Sequence, residues 1–130
     1  MKRTILLIED NEQNRYLAIF LLEQHGYKIV PATNGPDGIE MAKASTPDLI
    51  LLDIQLPLMD GYTVARILRG IESLRDVPII AVTSYAMVGD REKSLEAGCT
   101  GYIEKPINPE TFVREIEQFL NPPPTTSGGP

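Results

Sequence analysis

Five short runs of nearly unbroken apolar residues, each followed by a stretch with helical spacing, constrain this chain more than any other feature. The runs are Thr4–Ile8, Lys28–Ala32, Leu49–Leu52, Ile79–Val82 and Gly101–Ile103. Four of them are almost continuously apolar, without the alternation of a strand that has one wet face. They predict strands covered on both sides. Strand and helix alternating at this spacing predict a parallel sheet with right-handed crossovers.

The intervening stretches carry helix signals. Leu17, Phe20, Leu21 and Gln24 keep helical spacing after Asn11, a side chain suited to an N-cap, and Gly26 stops that helix. A second helix is predicted over about Pro36–Ser45 with Ile39 and Ala42 inward, closed by Pro47. The third carries Val64, Ile67, Leu68 and Ile71 after the turn pair Asp60–Gly61. The fourth runs from about Val88 to Ala97 and ends at Gly98; the fifth starts near Pro109 and carries Phe112, Ile116, Phe119 and Leu120. Five such units predict an α/β fold of flavodoxin-like, doubly wound (βα)5 type, with a five-stranded parallel sheet in the order 2-1-3-4-5. Residues 1–120 read as one domain, and the uncharged Pro/Gly/Ser/Thr stretch at 121–130 as a flexible tail or linker.

Charge and composition narrow the function classes. A net charge of −6 argues against a direct nucleic-acid partner, which needs a basic face. No apolar run reaches the roughly 18 residues of a membrane span, and the four apolar residues after Arg3 and Thr4 are too few for a signal peptide. The single cysteine, Cys99, forbids an internal disulfide and reads as a small, partly buried residue before the last strand. Together these predict a cytoplasmic protein with protein or small-ion partners. His25 reads as a structural or solvated residue at a helix end, and one histidine beside one cysteine makes no zinc site.

Three strand ends carry the chemistry. Glu9 and Asp10 close the first apolar run, Asp53 closes the third, and Lys105 follows the fifth. In an open α/β sheet the carboxyl edge of the strands is where ligand sites form. Three carboxylates held together repel, so one takes up a proton unless a cation shares the site. Magnesium (or manganese) wants oxygen ligands in octahedral array and keeps several waters. Asp10 and Asp53 can supply two carboxylates, the backbone carbonyl just after Asp53 a third ligand, and Glu9 a fourth, directly or through water. A carboxylate beside such a cation can also act as a nucleophile in phosphoryl transfer, forming an aspartyl phosphate. Further donors are then needed for the phosphoryl oxygens, and Thr83 and Lys105 sit at the same edge. Pro106 after Lys105 allows a cis peptide bond.

On these residues the chain resembles a bacterial response-regulator receiver domain, over about residues 3–120. The matching pieces are ILLIEDN at Ile5–Asn11, PDLILLDIQLPLMDG at Pro47–Gly61, PIIAVTS at Pro78–Ser84 and GYIEKPI at Gly101–Ile107. The resemblance implies that Asp53 is the phosphoacceptor, that Asp10 binds magnesium directly and Glu9 through water, and that the Gln55 carbonyl completes the protein ligands. It implies that Thr83 is the switch hydroxyl, that Lys105 pairs with the phosphoryl group, and that Tyr102 is the switch aromatic. Pro57 and Gly61 would shape the loop after Asp53. The acid pair departs mildly from the commonest pattern, with Glu9 where aspartate is usual. The segment Ser84–Asp90 resembles single-domain regulators of the cell-cycle kind and receivers of hybrid kinases.

The function so implied is two-component or phosphorelay signalling. A sensor histidine kinase or a histidine phosphotransfer protein would donate the phosphoryl group, and a downstream protein would read the switched face of helix 4, strand 5 and helix 5. The protein would be no enzyme beyond its own phosphorylation and dephosphorylation, and a monomer or a phosphorylation-dependent dimer. Gln55 and Tyr85 either tune loss of the phosphoryl group or are plain surface residues. Tyr16 is expected at the docking face of helix 1, with Phe20 in the core. Leu56, Leu58 and Met59 either pack locally or join the kinase-docking surface. The alternative is a phosphorylation-independent interaction module on the same fold, although such modules usually lose an acid or the lysine. A haloacid-dehalogenase phosphatase needs an aspartate two residues after the nucleophile, where Gln55 stands. A flavin carrier is disfavoured because the loop Glu9–Glu12 is acidic and lacks a phosphate cradle.

Overall fold

The structure is a computed structural model that describes residues 2–84 and 89–120. In chain order the elements are β1 (Thr4–Ile8), α1 (Glu12–Gln24), β2 (Lys28–Ala32), α2 (Gly35–Ser45), β3 (Leu49–Asp53), α3 (Gly61–Arg69), β4 (Ile79–Thr83), α4 (Asp90–Glu96), β5 (Gly101–Glu104) and α5 (Phe112–Leu120). A 3-10 turn, Glu72–Leu74, precedes β4. All strand pairs are parallel and the order is 2-1-3-4-5, as the alternation of elements predicts. The tail at 121–130, Tyr85, and the start of the fourth helix near Val88 lie outside the described residues.

Register aligns the strand ends. Ile8 lies opposite Leu52, so Glu9 and Asp53 come next at one level. Asp53 lies opposite Val82, which puts Thr83 one step further. Thr83 lies opposite Glu104, which puts Lys105 just beyond. Strands β3, β4 and β5 each run one residue longer than the apolar pattern predicts, because the polar residue that closes each run still pairs in the ladder.

The sheet divides the core in two. Leu6, Ile8, Ile50, Leu52, Ile79 and Ala81 pack with α2, α3 and the end of α4. Ile5, Leu7, Leu49, Leu51, Ile80, Val82 and Ile103 pack with α1 and α5. Side chains alternate along a strand. Glu9, Asp53 and Lys105 therefore share the α1/α5 side, whereas Thr83 and Tyr102 fall on the α3/α4 side. Tyr102 is half-buried against that core.

Helix α1 is rotated from the sequence expectation, and in α3 one of the expected residues turns outward. In α1 the buried residues are Ala18 and Leu22, while Phe20 is 47% exposed and Leu17 and Leu21 are half-buried. The stretch Tyr16–Leu22 is apolar nearly all round, so spacing alone leaves the phase open. Ala18, a small residue, faces the sheet beside Leu22. In α3 Gly61, Val64, Ala65 and Leu68 are buried and Ile71, just past the helix, packs against the same core, while Ile67 is exposed.

The helices that follow β1, β2 and β3 begin on side-chain caps. Asn11, Asn34 and Asp60 accept from the backbone N–H of Asn14, Asp37 and Thr63 at 2.9, 2.9 and 3.0 Å. At the opposite edge of the sheet, Arg69 donates to the carbonyls of Gly98, Leu74, Arg75 and Val77 at 2.9–3.0 Å. One planar guanidinium thus satisfies four backbone acceptors of the segments leading into β4 and β5.

Candidate functional site

Glu9, Asp10 and Asp53 offer carboxylate oxygens that all lie within 4.8 Å of one another. Glu9 and Asp53 are buried and Asp10 is exposed at the rim. Lys105 Nζ stands 3.1 Å from Asp53 Oδ2 and 3.2 Å from Glu9 Oε1. These groups line a cleft of about 440 Å³ together with Asn11, Asn14, Gln55, Ser84 and Pro106. The peptide bond between Lys105 and Pro106 is cis.

Charge crowding at the cleft is visible in the acid–base balance. Burial first, and the Asp53 carboxylate second, push the Glu9 carboxyl up to about 7, although Lys105 pulls it the other way. One ammonium therefore does not neutralise the cluster. The donor set is entirely hard oxygen and carries excess negative charge, which fits a small divalent cation of the magnesium class.

Several interactions hold these groups in place. Gln55 N–H donates to Asp53 Oδ1 at 2.9 Å, fixing the carboxylate from its own loop. Asn11 N–H donates to Glu9 Oε2 at 3.1 Å. Arg15 Nη1 donates to the carbonyls of Glu9 and Asp10 at 3.0 and 3.3 Å, so the first turns of α1 pin the acid pair. Gly61 lets α3 start against the loop after Asp53. A Cβ there would lie 2.5 Å from Ile54 Cα and 2.7 Å from the Asp53 carbonyl oxygen. Gly61 N–H closes this contact by donating to the Ile54 carbonyl at 2.9 Å.

Glu9, Asp10, Asp53, Gln55 and Lys105 are thus brought to one cleft. Thr83 is buried at the end of the adjacent strand, and Tyr102 lies two residues before Glu104 at the end of β5. Sequence reasoning missed Asn14, Arg15 and Ser84. The position of Asn14 and Arg15 three and four residues after the cap Asn11 was a usable signal, since that spacing turns both back toward the acid pair. Ser84 gave none beyond its place after Thr83.

Other expected positions are also settled. Leu56 and Met59 pack against the α2/α3 core, while Leu58 is 85% exposed with φ 71°. Tyr16, 71% exposed, stacks on Phe20 with ring centroids 6.4 Å apart, so both project from α1. His25 lies at the C-terminal end of α1, its Nδ1 3.0 Å from the Leu21 carbonyl. Cys99 is buried, which pushes its thiol up to about 11 and keeps it protonated at neutral pH.

A parallel five-stranded sheet with clustered acids and a lysine at its carboxyl edge defines a doubly wound domain built around an acidic cation-type cleft. The chain belongs to the response regulator receiver domain family, whose model matches residues 5–117. It is 41% identical over 120 residues to the polar-differentiation response regulator DivK of Brucella anthropi, covering 92% of this chain and 98% of that one. The solved receiver domain of sensor histidine kinase PA1611 from Pseudomonas aeruginosa, with a magnesium ion coordinated in its active-site cleft, is 36% identical. That match covers 92% of this chain and 98% of the other, with a TM-score of 0.85. A putative response regulator from Chloroflexus aurantiacus is 25% identical over 92% of this chain and 98% of its own, with a TM-score of 0.88. Membership places the chain in two-component signalling. No helix among the described residues is long and apolar enough to cross a membrane.

Proposed function

We propose that this chain is a phosphoacceptor switch that takes a phosphoryl group from a partner's phosphohistidine onto Asp53. The observation that carries this reading is the position of Lys105 Nζ, 3.1 Å from Asp53 in a cleft shared with Glu9 and Asp10.

The residues of the cleft support the following steps. An oxygen of the Asp53 carboxylate attacks phosphorus in line. The P–N bond to the donor imidazole breaks as the P–O bond to Asp53 forms, and the imidazole leaves with its electron pair. Asp10, Asp53 and the Gln55 carbonyl, with Glu9 through water, would hold a magnesium (or manganese) ion, which would supply positive charge to the phosphoryl oxygens. Lys105 is already beside Asp53 and can move its ammonium onto a phosphoryl oxygen without a change of backbone. Thr83, one level past Asp53 in the ladder, can bring its hydroxyl to another. Tyr102 shares the α3/α4 side with Thr83, so a shift of Thr83 alters the space open to it. The α4–β5–α5 face is the region repacked by this step, and population-shift logic governs it: the phosphoryl group favours whichever packing it contacts better.

Loss of the group is hydrolysis of the acyl phosphate, a rate that Gln55, which lines the cleft, and Tyr85 tune. The protein turns over no substrate other than its own phosphoryl group. Its partners are a sensor histidine kinase or histidine phosphotransfer protein, which the exposed Tyr16–Phe20 pair can dock, and a downstream protein. It works in the cytoplasm. Incubation with acetyl phosphate tests the reading. One phosphoryl group, cleaved by hydroxylamine and gained only with magnesium present, is expected; uptake independent of magnesium or of Asp53 contradicts it.

A further inference from the structure

The side chain of Gln55 does something its place in the cleft does not require. Its Oε1 accepts two hydrogen bonds from one residue, Ser84: from the backbone N–H at 3.0 Å and from the hydroxyl at 2.7 Å. The backbone N–H of Ser84 can only donate, so the facing atom is the amide oxygen and the side-chain orientation is fixed. Among the described residues, the last backbone bond between these two segments runs from Ile54 N–H to the Val82 carbonyl at 3.0 Å. Asp53 lies opposite Val82, so Gln55 and Ser84 are each two residues beyond that pair. Where the ladder ends, a side chain carries it one rung further.

This rung ties the phosphoacceptor loop to the switch strand. Gln55 is held at its base by its N–H on Asp53 Oδ1. Ser84 directly follows Thr83, whose carbonyl accepts from Lys105 N–H at 2.8 Å. Both Gln55 and Ser84 line the cleft that contains Asp53.

We infer that Gln55 and Ser84 form a resting-state clasp, which holds Ser84 just past the end of β4 until a phosphoryl group on Asp53 competes for the Ser84 donors. The inference rests on the phosphoacceptor reading of Asp53. A phosphoryl dianion is a stronger acceptor than a neutral amide oxygen, and charge-assisted hydrogen bonds are about twice as strong as neutral ones. Ser84 N–H and O–H therefore pass from Gln55 Oε1 to the phosphoryl oxygens. Gln55 is released, and the segment that carries Thr83 is drawn toward Asp53. The clasp lies at an exposed lip, so it sets a modest bias. A net hydrogen bond corresponds to roughly fivefold in a conformational equilibrium.

The test uses the full chain and its amide spectrum, with Gln55→Leu (no acceptor, similar bulk) and Ser84→Ala (no hydroxyl) beside the wild type. Spectra are recorded with magnesium alone and with beryllofluoride, which mimics the phosphoryl group and removes hydrolysis from the comparison. In the resting wild type the Ser84 amide should report its bond to Gln55, and beryllofluoride should move it. In resting Gln55→Leu the amides of Thr83, Ser84 and Tyr102 should lie part-way along the line from the wild-type resting to the beryllofluoride position. That corresponds to a roughly fivefold larger active population. Ser84→Ala should show a smaller displacement along the same line. Resting amides of Gln55→Leu that coincide with the wild type, or that leave the line, overturn the clasp. A wild type that responds to beryllofluoride while Gln55→Leu is indistinguishable from it overturns the clasp alone. A wild type with no response to beryllofluoride or acetyl phosphate overturns the phosphoacceptor reading and the clasp with it.

Discussion

Lys105 Nζ bridges Asp53 Oδ2 and Glu9 Oε1 at 3.1 and 3.2 Å, so one cation serves two buried carboxylates on neighbouring strands. Neither strand predicts this alone. It follows from the register that sets Glu9 level with Asp53 and from the register that carries Lys105 one step past Glu104 at the end of β5.

Replacing Lys105 with methionine keeps the stem and removes the charge. Phosphorylation by acetyl phosphate should slow by about a hundredfold or more, the usual cost of losing one preorganised charge donor. Magnesium affinity should rise, because the acids lose their resident competitor. Phosphorylation kinetics and a magnesium titration check both, and an unchanged rate removes Lys105 from the chemistry.

Glu9 makes a pH prediction whose sign is opposite to that of an ordinary carboxylate. Its carboxyl is raised from 4.5 to about 7, by burial first and by Asp53 second. Between those values the folded chain binds more protons than the unfolded one. Without metal, stability should therefore be fullest below about 4.5 and fall as pH rises through about 7. Urea unfolding in the presence of a chelator, wild type against Glu9→Gln, isolates the contribution. The wild type should lose stability relative to the variant as pH rises, and magnesium should bind more weakly as pH falls through the same window. A wild type that gains on the variant contradicts the assignment.

The phase of α1 can be tested by stability alone. Leu22 is fully buried, whereas Phe20 is 47% exposed. Leu22→Ala should cost about 2–5 kcal/mol, and Phe20→Ala, despite its larger side chain, less than about 1 kcal/mol. Denaturant midpoints decide, and a reversed order would restore the phase expected from sequence.

Arg69 should separate fold from site. Arg69→Ala strips four carbonyls of a charged donor at the edge opposite the cleft. A loss of roughly 2 kcal/mol or more is expected, with little recovery in Arg69→Lys, whose single ammonium lacks the planar fork. Unfolding curves measure the loss.

The polar residues of the cleft were legible because strand ends in a parallel sheet are forced together. An apolar run closed by Asp53 and another closed by Glu9 and Asp10 leave few places for those acids to go. Helix phase was less legible where apolar residues surround the helix, as in α1. Arg69 and the Gln55–Ser84 pair were illegible for a different reason. Each bonds to backbone groups far along the chain (Gly98 for Arg69, Ser84 for Gln55), and a backbone carbonyl or N–H leaves no mark in the sequence.

The central claim is that Asp53 accepts a phosphoryl group and that the signal crosses the sheet to Thr83 and Tyr102. The most direct measurement is intact mass with amide chemical shifts after acetyl phosphate and magnesium, with Asp53→Asn alongside. One phosphoryl group is expected on the wild type and none on Asp53→Asn, with shifts that spread to Thr83 and Tyr102. An unmodified wild type, or equal modification of Asp53→Asn, would contradict it.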